Sequence, residues 1–226
     1  MPLKKAKDSL RHLDNVRGKD DTIAENKERF MKNLTLIFTF LFSLSASALT
    51  SGEPAPDFKL KGASGKELSL SSFKGKIVVL EWTNHGCPFV KKHYDSGNMQ
   101  SLQKKYTGQN VIWLSIISSA EGKQGYVDQK AALEEKTSKK SSATDVLLDP
   151  DGAVGKLYGA MTTPHMFVVD KDGKLAYQGA IDSTPDTSVD SVASAKNYVV
   201  AALTDIMAGK KVTQPATQSY GCGVKY

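Results

Sequence analysis

Beyond residue 55 the apolar residues fall into short blocks, and the spacing inside each block predicts its structure. FKL and ELSL alternate apolar with polar positions around the turn residues GASGK, which predicts a small β-hairpin. KIVVLEW, 76–82, is a continuous apolar run rich in valine and isoleucine, the pattern of a strand covered on both faces. A turn and Pro88 follow, and proline suits the first turn of a helix because its missing N–H costs nothing there. Phe89, Val90, His93 and Tyr94 open a helical pattern that Met99, Leu102 and Tyr106 continue, with a break expected at Ser96-Gly97-Asn98. VIWLSIIS, 111–118, and DVLLD, 145–149, read as further strands, and 125–140 is helical in composition. AVGKLYGA predicts a short helix with Ala153, Leu157 and Tyr158 on one side. HMFVVD and KLAYQGA flank Lys171-Asp172-Gly173, a strong hairpin signal. Residues 190–210 predict an amphipathic helix ending at Gly209, and the remaining tail is polar and glycine-containing, which predicts flexibility.

Strands and helices alternate through the first half, which implies right-handed parallel crossovers, and the late hairpin makes the sheet mixed. The expected fold is therefore α/β, a central mixed sheet flanked by helices with an N-terminal β-hairpin extension. No internal repeat is visible.

The first 48 residues read differently. LTLIFTFLFSL, 34–44, is preceded by Met31-Lys32-Asn33 and followed by Ala46-Ser47-Ala48. That is the basic start, apolar core and small-residue cleavage site of an export signal over 31–48. The run is short of the ~20 apolar residues that span a bilayer, so stable membrane insertion after cleavage is not expected. Residues 1–30 are charged and lack periodicity, and Met31 is the expected initiator. The folded part is then 49–226, one domain, exported to the periplasm or secreted.

Net charge is +6 for the whole chain, but part of that excess lies before residue 49. The lysines that remain are scattered among acids, without the clustered stripe of a nucleic-acid surface. The pairs at 91–92, 104–105 and 139–140 read as solvated helix faces. All the arginines, Arg11, Arg17 and Arg29, precede Met31.

The candidate chemistry lies in EWTNHGCPFV. Cys87 falls at the start of the predicted helix, where backbone N–H groups and the helix dipole favour the thiolate. His85, Lys91 and Lys92 are placed to add positive potential. The chain has one other cysteine, Cys222, between two glycines in SYGCGVKY. An exported protein is free to form a disulfide. Three arrangements stay open: a Cys87–Cys222 pair, two independent thiols, or Cys222 pairing with another chain.

APDF, VVLEWTNHGCPF, TTPHMFVVDKDGKLAYQG and YGCGVKY together resemble the peroxiredoxin-like branch of the thioredoxin superfamily, the redoxin or AhpC/TSA type, over about 52–226. The resemblance implies a thioredoxin-like fold and a thiol oxidoreductase. It makes Cys87 the nucleophile, Cys222 the candidate resolving residue, Pro164 a cis-proline facing the thiol, and Asn84, His85, Pro88, Thr163 and Pro164 the substrate groove, with His85 tuning the thiolate. It implies no cofactor. The partner would be a protein thiol or disulfide, or a peroxide, with an electron donor the sequence does not identify.

The chain departs from the family in stated ways. Val90 stands where a Cys-x-x-Cys motif has its second cysteine; Asn84 and Leu80 stand where a peroxiredoxin loop has threonine and proline; and no arginine follows Met31. Lysine does not replace a planar guanidinium, so strong peroxidase activity is not expected.

Two other classes compete. His85, Cys87, His93 and His165 would form a copper or zinc site if the fold brought them together. A non-enzymatic partner-binding module on the same scaffold is the other. DPDG and DKDG lack the further ligands of a calcium loop and read as turns.

Overall fold

The computed structural model describes residues 49–226. The expectations for residues 1–30 and for the 31–48 export signal lie outside the described residues. The elements run β1 (Lys59–Gly62), β2 (Glu67–Ser69), β3 (Val78–Trp82), α1 (Pro88–Asp95), α2 (Asn98–Thr107), β4 (Ile112–Ile117), α3 (Gln129–Ser138), β5 (Asp145–Leu148), α4 (Ala153–Tyr158), β6 (Thr162–Thr163), β7 (His165–Val169), β8 (Leu175–Gly179), α5 (Tyr198–Met207) and β9 (Cys222–Gly223). Seven strands form one sheet in the order β2-β1-β5-β4-β3-β7-β8. β3, β4 and β5 are mutually parallel, and the other pairs are antiparallel. The N-terminal hairpin extends this sheet through β1 against β5. This is the mixed, helix-flanked arrangement expected from the order of the elements.

The central strands sort their side chains by parity, as a pleated strand must. Val79, Trp113, Met166 and Val168 face the layer that holds α1, α2 and α5. Val78, Leu80, Trp82, Leu114, Ile116, Phe167 and Val169 face the layer that holds Phe58, Leu70 and α4. A carboxylate is buried in the first layer. Glu81 accepts from Trp113 Nε1 at 2.7 Å, Ser115 Oγ at 2.9 Å, Tyr94 Oη at 3.0 Å and Gln103 Nε2 at 3.2 Å. Four donors on β4, α1 and α2 thus converge on β3 and tie the sheet to the helices that carry the site. Burial raises the Glu81 pKa against the pull of these bonds.

Local expectations held at the break between α1 and α2, where Gly97 has φ +76°. They failed in four places. Residues 190–210 are not one helix: α5 begins at Tyr198, and Asn197 caps it by accepting from Val200 N–H at 2.9 Å. The preceding stretch makes a single 3-10 turn, Asp190–Ala193, where serine hydroxyls bond nearby backbone carbonyls instead of supporting a helix. On α4 the buried face is Val154 and Tyr158, while Leu157 is 50% exposed. Tyr158 is drawn inward by the aromatic cluster of Phe58, Trp82 and Phe167. The tail is not loose, since β9 pairs with β6 and Gln178 bridges to Ala216.

The fourth failure is Lys92, expected on a solvated face and in fact buried. Its Nζ donates to Thr184 O at 2.7 Å and to Asp186 Oδ1 at 3.3 Å, and lies 4.0 Å from Asp182 Oδ2. A lysine can be buried where such partners replace its water. Lys92→Met is expected to destabilise the protein by roughly 3 kcal/mol, because the buried Asp182 carboxylate loses its nearest cation. The denaturant unfolding midpoint, with the slope unchanged, measures this.

Candidate active site

β3 ends at Trp82, and the chain must leave the sheet before α1 can start. Asn84 organises that exit. Its Oδ1 accepts from Gly86 N–H at 2.8 Å, its Nδ2 donates to Gln124 O at 3.1 Å, and its own carbonyl accepts from Cys87 N–H at 2.9 Å. Gln124 returns a bond to Gly86 O at 3.2 Å. Asn84 packs so closely on Gly125 that a Cβ there would lie 2.4 Å from its amide. The loop that presents the cysteine is therefore fastened to the segment after β4. Nothing near Gln124 and Gly125 in the sequence signals this role.

Cys87 is the N-cap of α1 and Pro88 occupies its first turn, as the sequence predicts. The thiol is fully buried. It donates to Thr163 O at 3.1 Å, and the Thr163–Pro164 peptide is cis. The second cysteine is here as well. β9 runs antiparallel to β6 with Cys222 opposite Thr163 and Gly223 opposite Thr162. Both cysteines are free thiols, and each shifts the proton affinity of the other.

Their proton affinities split. Burial pushes the Cys87 thiol up, but the Cys222 thiol, Thr163, and the backbone at Cys222 and Val90 hydrogen-bond its sulfur and bring it below its ordinary value. Cys222 is raised to about 11 by burial, then by its bond to Cys87 and by that neighbour's charge. Cys87 is thus the more acidic thiol of the pair, and Cys222 the less acidic.

Tyr220, two residues before Cys222, is anchored in a polar cluster. Its hydroxyl donates to Asp182 Oδ1 and lies 3.3 Å from His93 Nε2. His93 Nδ1 accepts from the Asn98 amide at 3.0 Å, so Nε2 carries the proton of the neutral ring and points it at Tyr220. Burial, offset by Asp182 and reinforced by Lys92, lowers the His93 pKa to about 4. Lys92 Nζ lies 5.5 Å from the centre of the Tyr220 ring.

The other candidates have separate tasks. His85 is held by Glu135 and Tyr94: its Nε2 lies 3.1 Å from Glu135 Oε2 and its ring meets Tyr94 edge-on at 5.5 Å. Burial and the Lys139 charge lower its pKa to about 4. That shift favours the neutral ring, and its polar partner is Glu135 rather than Cys87. His165 stacks on Phe167 at 4.5 Å and accepts from Met161 N–H at 3.3 Å, with its pKa lowered to about 4 by burial. His85, His93 and His165 thus point to three different places. Among the described residues no group of three His, Cys, Asp or Glu side chains could hold a metal ion, which removes the geometric basis of the metal-site alternative. No helix among the described residues is long and apolar enough to cross a membrane.

Comparison with known proteins agrees with this geometry. Thiol-disulfide oxidoreductase ResA of Bacillus thuringiensis subsp. konkukian is 28% identical over 124 residues, 55% of this chain and 66% of that protein. The chain thus spans just under two thirds of that relative. Thioredoxin-like protein YneN of Bacillus subtilis is 28% identical over 132 residues, 58% of this chain and 72% of YneN. The crystal structure of the hypothetical protein SMc02350 from Sinorhizobium meliloti 1021 superposes with a TM-score of 0.67 at 24% identity, over 80% of this chain and 96% of that one. An uncharacterized conserved protein from Geobacillus kaustophilus gives 0.68 at 24% identity, over 80% and 94%. These two structures share the thioredoxin-like fold. The AhpC/TSA family model matches residues 51–178, more than half of the chain, and the chain belongs to the AhpC/TSA family.

Proposed function

We propose that this protein is an exported thiol-disulfide oxidoreductase in which Cys87 attacks and Cys222 resolves. The observation that carries the reading is the contact between a lowered-pKa thiol at a helix N-cap and a second, proton-bearing thiol. The Cys87 thiolate attacks one sulfur of a partner disulfide. A Cys87–partner disulfide forms, the partner's S–S bond breaks, and its other sulfur leaves as a thiolate that takes a proton from water. Cys222 then gives up its proton and attacks the Cys87 sulfur. A Cys87–Cys222 disulfide forms and the partner leaves with both sulfurs reduced. An external dithiol must reduce the enzyme for the next turn. ResA carries the name of the same activity. Attack on a peroxide would start from the same thiolate, but no guanidinium follows Arg29 to stabilise the departing oxygen. Disulfide exchange is therefore favoured over peroxide reduction.

Reduction of a disulfide-bonded test protein with a dithiol donor tests this. Cys87→Ser is expected to abolish turnover. Cys222→Ser is expected to lower it about tenfold or more and to accumulate a mixed disulfide at Cys87, visible in the intact mass. Full turnover in Cys87→Ser would overturn the reading.

A thiolate absorbance titration checks the asymmetry. Thiolate forms as pH rises, so two steps are expected, one below the ordinary cysteine value of 9.0 and one near 11. Cys222→Ala removes a donor to the Cys87 sulfur, so the remaining step should move upward.

Export rests on the 31–48 pattern. Sequencing the mature N-terminus from the producing cell is expected to give Leu49. A mature chain starting at Met1 would sink the export proposal.

A further inference from the structure

The last residues of a chain fray unless something ties them down, and here they carry the second thiol. β9 is only two residues long, too short a pairing to fix a terminal segment by itself. What else fixes Cys222 decides how well it serves Cys87. Closing a disulfide from two thiols of one chain depends on the effective concentration of one at the other.

The tail is fastened on both sides of Cys222. Downstream, Val224 N–H donates to Met161 O at 3.0 Å and Tyr226 Oη to Ala160 O at 2.6 Å. Both bonds go to the segment that leads into β6. Upstream, Gly221 has φ +129° and lies so close to Thr163 that a Cβ would fall 2.0 Å from its carbonyl oxygen. Further back, Thr217 Oγ1 accepts from Ala180 N–H at 2.9 Å, just past the end of β8.

None of these contacts reaches α1, which carries Cys87 at its N-cap. Tyr220 does. Its ring meets Phe89 of α1 with ring centres 5.9 Å apart, and its hydroxyl lies 3.3 Å from Nε2 of His93, one turn further along the same helix. With Nδ1 occupied by Asn98, His93 donates to that hydroxyl, which in turn donates to Asp182 Oδ1. Asp182 is itself held: the same Oδ1 accepts from Thr184 N–H at 3.0 Å, and Lys92 of α1 donates to Thr184 O at 2.7 Å. The tyrosine hydroxyl therefore sits between a donor and an acceptor that are both tied to the helix of the first thiol.

We propose that Tyr220, acting through Asp182, is the positioning residue for the resolving thiol: it holds Cys222 at Cys87 and so sets how strongly the pair favours its disulfide over its dithiol. The inference rests on the reading of Cys222 as the resolving residue and adds what places it. Oxidised glutathione serves as the probe. The two protein thiols become one Cys87–Cys222 disulfide, the glutathione S–S bond breaks, and both thiol hydrogens end on two molecules of reduced glutathione. The equilibrium constant of that exchange has units of concentration and measures the effective concentration of Cys222 at Cys87.

The full chain is equilibrated at a series of glutathione ratios, quenched in acid and read by intact mass. Tyr220→Phe keeps the ring and removes the hydroxyl. It is expected to lower the constant about tenfold, the order of one hydrogen bond to a charged group, or about 30 mV, with the Cys87–glutathione mixed disulfide accumulating instead. Asp182→Asn keeps an acceptor and removes its charge. It is expected to lower the constant by less, and to add nothing in the Tyr220→Phe background. Tyr158→Phe is the comparison, since it removes a bond to Pro56 O of 2.6 Å in the layer on the other face of the sheet. It is expected to lower the unfolding midpoint and leave the constant where it was.

An unchanged constant in Tyr220→Phe would overturn the inference. So would an equal fall in Tyr158→Phe, which would make the loss one of general stability. Additive losses at Tyr220 and Asp182 would uncouple the two residues and overturn it as well, as would a wild-type protein that forms only mixed disulfides with glutathione. The failures are separable. The expected loss in Tyr220→Phe, without reduction of a disulfide-bonded protein by the wild type, removes the proposed activity and keeps the role of Tyr220. Turnover with the constant unmoved does the reverse.

Discussion

Thr163 is where the two cysteines meet. Its carbonyl accepts the Cys87 thiol, its backbone pairs with Cys222, and its hydroxyl reaches Cys222 O at 3.4 Å. The position is set from two directions. β6 leads into β7, a fully buried strand registered against β3. β3 in turn feeds the loop that ends in Cys87. The strand pair that closes the sheet core thus also fixes the distance between the thiol and the edge it faces. Glu81 strengthens this by tying β3 to α1, α2 and β4 inside the core.

This arrangement explains how a chain with valine three residues after its cysteine still presents a dithiol. Val90 is buried in the core below α1. The second sulfur comes from the far end of the chain, on β9, which pairs with β6. It is delivered by residues beyond the 51–178 span that matches the family.

The polar cluster under Tyr220 has the same logic. Lys92, His93, Asp182 and Asn98 are costly to bury one at a time, and each is positioned by an element already packed for other reasons. Together they place one hydroxyl acceptor and one donor where the tail crosses α1. Asp182 Oδ2 has no hydrogen-bond partner among the described residues, so the cluster is not saturated without its cation. Lys92 thus contacts both the tail, through the Tyr220 ring, and the Asp182 carboxylate that holds Tyr220.

Period and punctuation in the sequence determined the element order, the covered strands, the N-terminal hairpin and the placing of Cys87 at a helix start. These are local matters: alternation, apolar runs, and a proline that tolerates a helix's first turn. The place of Thr163 and Pro164 opposite Cys87 was legible only through the family resemblance. Composition misled where contacts rather than propensity decide. Residues 190–210 look like one helix until local serine bonds and the Asn197 cap compete for the backbone. Lys92 looks solvated until Thr184, Asp182 and Asp186 come to it from a distant loop. The tail looks loose until β6 offers it unpaired backbone groups. That Cys222 meets Cys87, that three histidines diverge rather than converge, and that Gly221 is a contact point all depend on which segments the folded sheet brings side by side. Only the tertiary structure decides them, because the residues that meet are far apart along the chain and their hydrogen bonds leave no periodic trace in it.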